Sequence, residues 1–389
     1  MQFKKYRRTR NYRSKPFNNF RVKAFNPSSL VGDWDQHFQN NEPIFSPVNN
    51  FFDLDINPMV KKNLQNRGYN QPTQIQDRVI PLLLQGKDVV GIASTGTGKT
   101  AAFLIPFINK MFNNRDQKML VIVPTRELAL QIDAEFRSLS RGSQLQSVVC
   151  IGGVGMVPQI RQLSGNHHLV VGTPGRLMDL EQRRKIKFSD YSNNILDEVD
   201  RMLDMGFIHD VKKIVKSLPA NRQSACFSAT LPDNVRHLMG QFLSNPELVV
   251  IDSPIGLNVD QKIIKTNGKA KLEVLHDLLI QDGFNKVLVF GRTKRGLDSL
   301  AGDLNKRGFK LATIHGNKRQ SQRQMSLEKF RRSQVKILLA TDVASRGLDI
   351  QGVTHVINFD LPETKDDYIH RIGRTGRANN KGVAVTFID

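Results

Sequence analysis

The sequence predicts an α/β protein of two tandem domains, each a mostly parallel sheet with helices on both faces. Three observations carry this. From Asp53 onward, short apolar and β-branched runs alternate with helical stretches, the rhythm of βαβ units. That rhythm breaks once, near Asp252-Ser253-Pro254-Ile255-Gly256, and then resumes. A length of 389 residues accommodates two domains of ordinary size, each with its own core.

Taken in order, residues 1–50 read as a basic arm and lead-in, 51–252 as the first domain, 253–260 as a linker and 261–389 as the second domain. The arm carries Lys4, Lys5, Arg7, Arg8, Arg10, Arg13, Lys15, Arg21 and Lys23 with no acid before residue 32. Phe3, Tyr6, Tyr12, Phe17, Phe20 and Phe25 are interleaved with them, and no apolar period holds, so a disordered arm is expected. Such an arm can grip phosphates and stack on unpaired bases, or it is only a solvated tail. A targeting peptide is disfavoured by the lack of an amphipathic helix. In the first domain, strand-like runs fall at 89–92, 119–123, 147–151, 169–171, 195–196 and 225–227, with helices at 126–139 and 232–242 between them. In the second they fall at 286–290, 310–314, 335–340, 353–358 and 382–388.

Ala93-Ser94-Thr95-Gly96-Thr97-Gly98-Lys99-Thr100 lies between a strand-like run and a helical one, the context of a phosphate-binding loop. Small residues let backbone N–H groups wrap a polyphosphate; Lys99 would reach its outer phosphates and the Thr100 hydroxyl would ligate Mg²⁺. A tight strand-to-helix turn is the plainer alternative. Asp197-Glu198-Val199-Asp200 follows Ile195-Leu196 at a strand end, where an acid downstream of a phosphate loop holds Mg²⁺. Asp197 is the Mg²⁺ candidate, and Glu198 can polarise an attacking water. The alternative is an acidic helix cap. The formal charge of +21 favours a polyanionic partner, nucleic acid being the commonest. Cys150 and Cys226, the two cysteines, sit in apolar strand-like runs and read as buried thiols of a reducing compartment. No apolar run reaches the length of a membrane span and no secretory core is seen, so a soluble, cytoplasmic protein is expected.

Further segments follow in order: Gly68-Tyr69-Asn70-Gln71-Pro72-Thr73-Gln74-Ile75-Gln76, then Pro124-Thr125-Arg126-Glu127-Leu128-Ala129, Gly152-Gly153, Thr173-Pro174-Gly175-Arg176-Leu177 and Ser228-Ala229-Thr230. The second half adds Val289-Phe290-Gly291-Arg292-Thr293, Ala340-Thr341-Asp342-Val343-Ala344-Ser345-Arg346-Gly347-Leu348-Asp349 and Tyr368-Ile369-His370-Arg371-Ile372-Gly373-Arg374-Thr375-Gly376-Arg377. With the phosphate loop and the acidic segment, this series resembles the DEAD-box ATP-dependent RNA helicases, most of all the bacterial RhlE-like group, from about residue 51 to the end.

The resemblance implies two RecA-like domains, with ATP and Mg²⁺ held by the first. It places Gln76 on the adenine edge, where a side chain with both donor and acceptor suits N6 and N7, with Phe52 against the base. Tyr69, the loop residues Ser94, Thr95, Gly96, Thr97 and Gly98, and Gly347 join the nucleotide set, and Asp349 meets the ribose. Arg374 and Arg377 become arginine fingers from the second domain, a lever on the order of 10³–10⁵ in rate; spaced three apart, they would share one face if helical. Ser228 and Thr230 couple hydrolysis to RNA binding, and His370 belongs to the contact between domains. The RNA track would use Arg126, Gly153, Thr173 and Arg176, then Arg292, Gly316, Gln320, Arg323, Thr341 and Arg346. Such residues read phosphate and sugar, not base sequence.

Some positions depart from the family pattern. Val199 stands where the family has Ala, Ser94 replaces a common Gln, and Asn193-Asn194 make the strand before Asp197 polar. The chain stops at Asp389, where relatives usually continue into a helix; this reads either as a truncation or as a minimal second domain. The expected activity is ATP-driven local unwinding or remodelling of single-stranded or duplex RNA, by a monomeric core with little sequence specificity. An ATP-gated RNA clamp with slow turnover is the alternative, a DNA-directed helicase a third. Ribosomal or decay-machinery proteins are the expected protein partners.

Overall fold

The computed structural model describes residues 45–251, 259–345, 350, 352–376 and 381–388. The basic arm, most of the linker, Arg346, Gly347, Asp349 and Arg377 lie outside the described residues.

Two parallel sheets organise the chain. In the first, β1 (Val89–Ile92), β2 (Met119–Ile122), β3 (Ser147–Cys150), β4 (Leu169–Gly172), β5 (Asn193–Leu196), β6 (Gln223–Ser228) and β7 (Glu247–Val250) lie in the order β3-β4-β2-β5-β6-β1-β7. In the second, β8 (Val259–Lys265), β9 (Val287–Phe290), β10 (Leu311–Ile314), β11 (Ile337–Ala340), β12 (His355–Asn358) and β13 (Gly382–Ile388) lie in the order β10-β11-β9-β12-β13-β8. Helices cover both faces, so β1, β2, β4 and β5 are buried at every position, which is why β1, β2 and β4 read as continuous apolar runs. Each sheet has a hydrophobic cluster on either face, Phe103, Phe107 and Phe136 marking one side of the first and Leu177, Met202 and Phe242 the other. These are two RecA-like α/β domains.

β7 and β8 are the two strands that apolar runs did not signal. Both lie at sheet edges, and their exposed positions break the pattern: Glu247, Leu248 and Val250 in β7, Asp260 and Lys262 in β8. The polarity of β5 has a local cause. Asn193 and Gln223 stand at the amino ends of β5 and β6, where the half-buried Lys110 ammonium donates to Asn193 Oδ1 (3.0 Å) and Gln223 Oε1 (2.9 Å). Gln223 in turn donates to the carbonyls of Leu83 and Lys87, closing the loop ahead of β1. Burial holds the Lys110 ammonium below its ordinary pKa. Cys150 and Cys226 are buried and unbridged. None of the described helices is long and apolar enough to cross a membrane.

Gly172 ends β4 where a Cβ would stand 2.8 Å from the Cys150 carbonyl and 2.7 Å from Leu177. The carbonyl belongs to the neighbouring strand and cannot move aside. Gly172→Ala is expected to cost about 1–3 kcal/mol, by overpacking. Urea unfolding should show it as a lower midpoint at unchanged slope.

Candidate active site

The loop after β1 is shaped by its glycines. Gly96 (φ 87°) and Gly98 (φ 95°) occupy the left-handed region, and Gly98 caps the helix Lys99–Asn113. A Cβ on Gly98 would fall 2.4 Å from Gln76 Nε2. The loop is closed on itself. The Lys99 ammonium donates to the Ala93 carbonyl (2.7 Å), Thr97 Oγ1 to Ser94 O (2.8 Å), Thr73 Oγ1 to Thr97 O (2.7 Å) and Gln76 Nε2 to Gly98 O (3.0 Å). Gln76 Oε1 accepts from Thr73 N, completing a capping box on the helix Gln74–Leu84. The structure thus brings Gln76, Lys99 and the loop residues together. Upstream, Phe52 is half-buried beside the fully buried Phe51, and Tyr69 packs edge-on against Phe51 and donates to Glu135 (2.8 Å).

The acids follow β5 on the same edge. Asp197 N donates to Ile122 O (3.1 Å), and Asp197 Oδ1 accepts from Glu198 N (3.0 Å). Complete burial pushes the Asp197 carboxyl up to about 7; the nearby Lys99 charge opposes the shift and Glu198 adds to it. Glu198 has φ 56° and ψ 54°, a conformation that costs a non-glycine residue about 1–3 kcal/mol. Asp200 Oδ2 accepts from Ala229 N (3.1 Å), Thr230 N (3.2 Å) and Thr230 Oγ1 (3.3 Å), while Asp200 N donates to Ser228 Oγ (3.3 Å). Ser228 O also accepts from Ala93 N (3.1 Å), so the Ser-Ala-Thr segment touches both the acids and the start of the phosphate loop. Val199 is buried, its extra methyls taken up by the core that holds Met202 and Leu196.

A cleft of about 460 Å³ joins the two domains at their carboxyl edges. It collects Arg126, Thr173 and Arg176 from the first, with Gly316 and Arg323 from the second. Arg126 lies over Gly152-Gly153, so closely that a Cβ on Gly153 would be 2.1 Å from its Nη1. Burial, then the Arg323 charge, draw its guanidinium below the ordinary pKa. Arg176 donates to Val154 O. The seam is locked by Glu127, which sequence reasoning gave no role: Gln320 Nε2 donates to its Oε1 (3.1 Å) and Arg323 pairs with its Oε2 (3.0 Å). Its place inside the Pro-Thr-Arg-Glu segment was the available signal. Arg292 follows β9, its N–H donating to Asp360 (2.8 Å), and Thr341 is buried at the end of β11.

Arg374 is buried, its Nε donating to the His370 carbonyl (3.2 Å). Arg374 lies beyond the helix Lys365–Ile372, which Gly373 caps and a left-handed Gly376 follows, so the helical condition for a face shared with Arg377 is not met at Arg374. Arg371, also unassigned from sequence, is the anchor of this region. It is 2% exposed, forks onto Asp342 (2.6 and 2.7 Å), donates to Asn358 Oδ1 and Asp360 O, and lies over the Phe290 ring.

Two RecA-like domains, a phosphate loop with an acidic strand end, and a cleft lined from both sides define a helicase-type ATPase. The chain matches the DEAD/DEAH box helicase family over residues 73–238 and the helicase conserved C-terminal domain over residues 270–379. It belongs to the DEAD-box ATP-dependent RNA helicases. It is 44% identical over 341 residues to the DEAD-box ATP-dependent RNA helicase CshA of Geobacillus kaustophilus, covering 87% of this chain and 73% of that one. The chain spans 64–73% of the length of the curated CshA proteins it was compared with. Among solved structures, S. cerevisiae Dbp5 bound to RNA and ADP BeF3 is similar with a TM-score of 0.77 at 28% identity, covering 87% of this chain and 89% of that one. A DEAD box protein from Methanococcus jannaschii gives only 0.52 at 39% identity, covering 87% of this chain and 93% of that one.

Arg371→Ala would remove the fork on the partly exposed Asp342 and the donors to Asn358 Oδ1 and Asp360 O. The expected loss is about 1–3 kcal/mol. Thermal melting followed by near-ultraviolet circular dichroism should show the second transition lowered and the first unmoved.

Proposed function

We propose that this chain is an RNA-stimulated ATPase that locally unwinds or remodels RNA, with residues 51–252 binding ATP and 261–389 completing the site. The observation that carries the reading is the seam at Glu127, bonded to Gln320 and Arg323, beside which Arg126, Thr173 and Arg176 share one cleft with Gly316 and Arg323. The naming of the relatives as RNA helicases and the RNA held by Dbp5 support RNA as the polymer.

On this reading, ATP displaces the loop's internal bonds. Lys99 leaves the Ala93 carbonyl for the outer phosphates, the N–H groups of residues 94–100 wrap them, and Gln76 turns to the adenine with Phe52 and Tyr69 nearby. A hard divalent cation fits the oxygen donors of Asp197 and Thr100, because burial disfavours the Asp197 charge and a cation would offset that cost. Bound there, Mg²⁺ supplies charge neutralisation to the phosphates. Glu198 orients a water and takes its proton as oxygen bonds to the γ-phosphorus and the bond to ADP breaks. Arg374, joined by Arg377, stabilises the charge from the second domain, and Gly347 and Asp349 contact the nucleotide. Ser228 and Thr230, fixed on Asp200, link that chemistry to the RNA cleft, and His370 belongs to the domain contact. Gly153, Arg292, Gly316, Thr341 and Arg346 extend the track along phosphates and sugars, so binding follows RNA backbone and salt, not sequence. The proposal includes a cytoplasmic location, a monomeric core, ribosomal or decay-machinery partners and the RhlE-like affiliation within the family.

Steady-state ATP hydrolysis with no nucleic acid, with single-stranded RNA and with single-stranded DNA at fixed salt tests the reading. Stimulation by RNA alone is expected; equal stimulation by DNA would replace RNA with single strands in general. Glu198→Gln should lower the stimulated rate by about 10²–10⁴-fold, the share of a positioned general base. ATP affinity, measured by fluorescent-nucleotide titration, should stay near the parent value. Normal turnover in that variant would remove Glu198 from the mechanism.

A further inference from the structure

We infer that Arg201 is a positioning residue for Glu198, holding its carboxylate in place through an ion pair sealed inside the first domain. Arg201 is 1% exposed and is the largest fully buried side chain among the described residues. Its Nε lies 3.5 Å from Glu198 Oε2. That oxygen accepts no hydrogen bond, and neither Nη1 nor Nη2 of Arg201 has a partner. A guanidinium keeps its charge at any working pH, and a buried charge is tolerated only beside a countercharge.

The other acid within reach is engaged elsewhere. Asp200 Oδ2 is taken up by Ala229 and Thr230, and Asp200 Oδ1 accepts from the backbone N–H of Arg201, not from its side chain. Glu198 is left as the countercharge. Its backbone needs such a restraint, because a glutamate at φ 56° persists only where its surroundings hold it. The helix Val199–Asp204 supplies the geometry: residue 201 stands three positions after 198, on the same face, and its N–H bonds back to the Glu198 carbonyl (3.1 Å). Arg201 therefore acts through Glu198. It fixes the direction in which Glu198 points.

The inference rests on Glu198 as the group that takes the water's proton, and the two can be tested apart. Arg201→Met keeps the stem and removes the charge; Arg201→Lys keeps the charge and loses the fork. Arg201→Met should lower the RNA-stimulated kcat by about 10²-fold, the scale of a misplaced catalytic group. The Kd for a fluorescent ATP analogue and the KM for RNA should each stay within a few fold. Arg201→Lys should recover about tenfold of the loss. Melting temperatures supply a second readout. If Glu198 is the countercharge, Glu198→Gln combined with Arg201→Met melts above Arg201→Met alone, because no charge is then stranded. A single variant too unstable to assay, with the double variant folded, supports the pairing. Both unfolded, or additive melting with Met and Lys equally inactive, would reduce Arg201 to packing and overturn the inference. So would an Arg201→Met enzyme as fast as the parent. An active Glu198→Gln enzyme would instead overturn the role of Glu198.

Discussion

Strand pairing in both sheets is parallel throughout the described residues, and that constraint does most to place the site. When strands run the same way, the segments that follow them emerge along one edge. The phosphate loop follows β1, the Pro-Thr-Arg-Glu segment β2, Gly152-Gly153 β3, Thr173 β4, Asp197 β5 and Ser228 closes β6. Ala93 and Ser228, about 135 residues apart in sequence, become neighbours through topology alone. The second sheet repeats the device with Arg292 after β9, Gly316 after β10 and Thr341 after β11. Facing the two edges across one seam turns two half-sites into a cleft.

The charges gathered there are expensive to bury, and the fold compensates each with a specific partner. Arg371 and Asp342 form a forked pair, which ties the helix carrying His370 to the end of β11. Glu127 is 4% exposed, and among the described residues its carboxylate takes its hydrogen bond and its ion pair from Gln320 and Arg323 of the other domain. Its solvation therefore depends on the domains meeting, which makes the seam sensitive to anything that parts them. Lys110 shows the same economy at the opposite edge of the first sheet, where its ammonium is shared between two amide side chains.

How much of this could be read in the sequence depended on the kind of signal. Buried parallel strands are apolar at every position, so β1, β2, β9 and β11 were visible; the edge strands β7 and β8, wet on one side, were not. The loop and the acids were legible because phosphate chemistry restricts which residues can serve. Arg374, Ser228 and Gln76 gained roles by likeness to a family, and their chemistry alone would have fitted an exposed surface. Glu127, Arg371 and Arg201 escaped because a pairing residue is defined by what stands opposite it. Arg201 in particular reads as an ordinary polar helix position until its burial is seen.

The phosphate loop, with Lys99 on the Ala93 carbonyl and Gln76 on that of Gly98, has a consequence for ligand discrimination. The resting loop holds four internal hydrogen bonds. On the proposed reading, a lone inorganic phosphate would exchange the Lys99 bond and little more, while a purine nucleotide would exchange the bonds at both ends of the loop at once. Affinity would then rise with the number of contacts a ligand makes simultaneously, and the resting loop would discriminate against small anions.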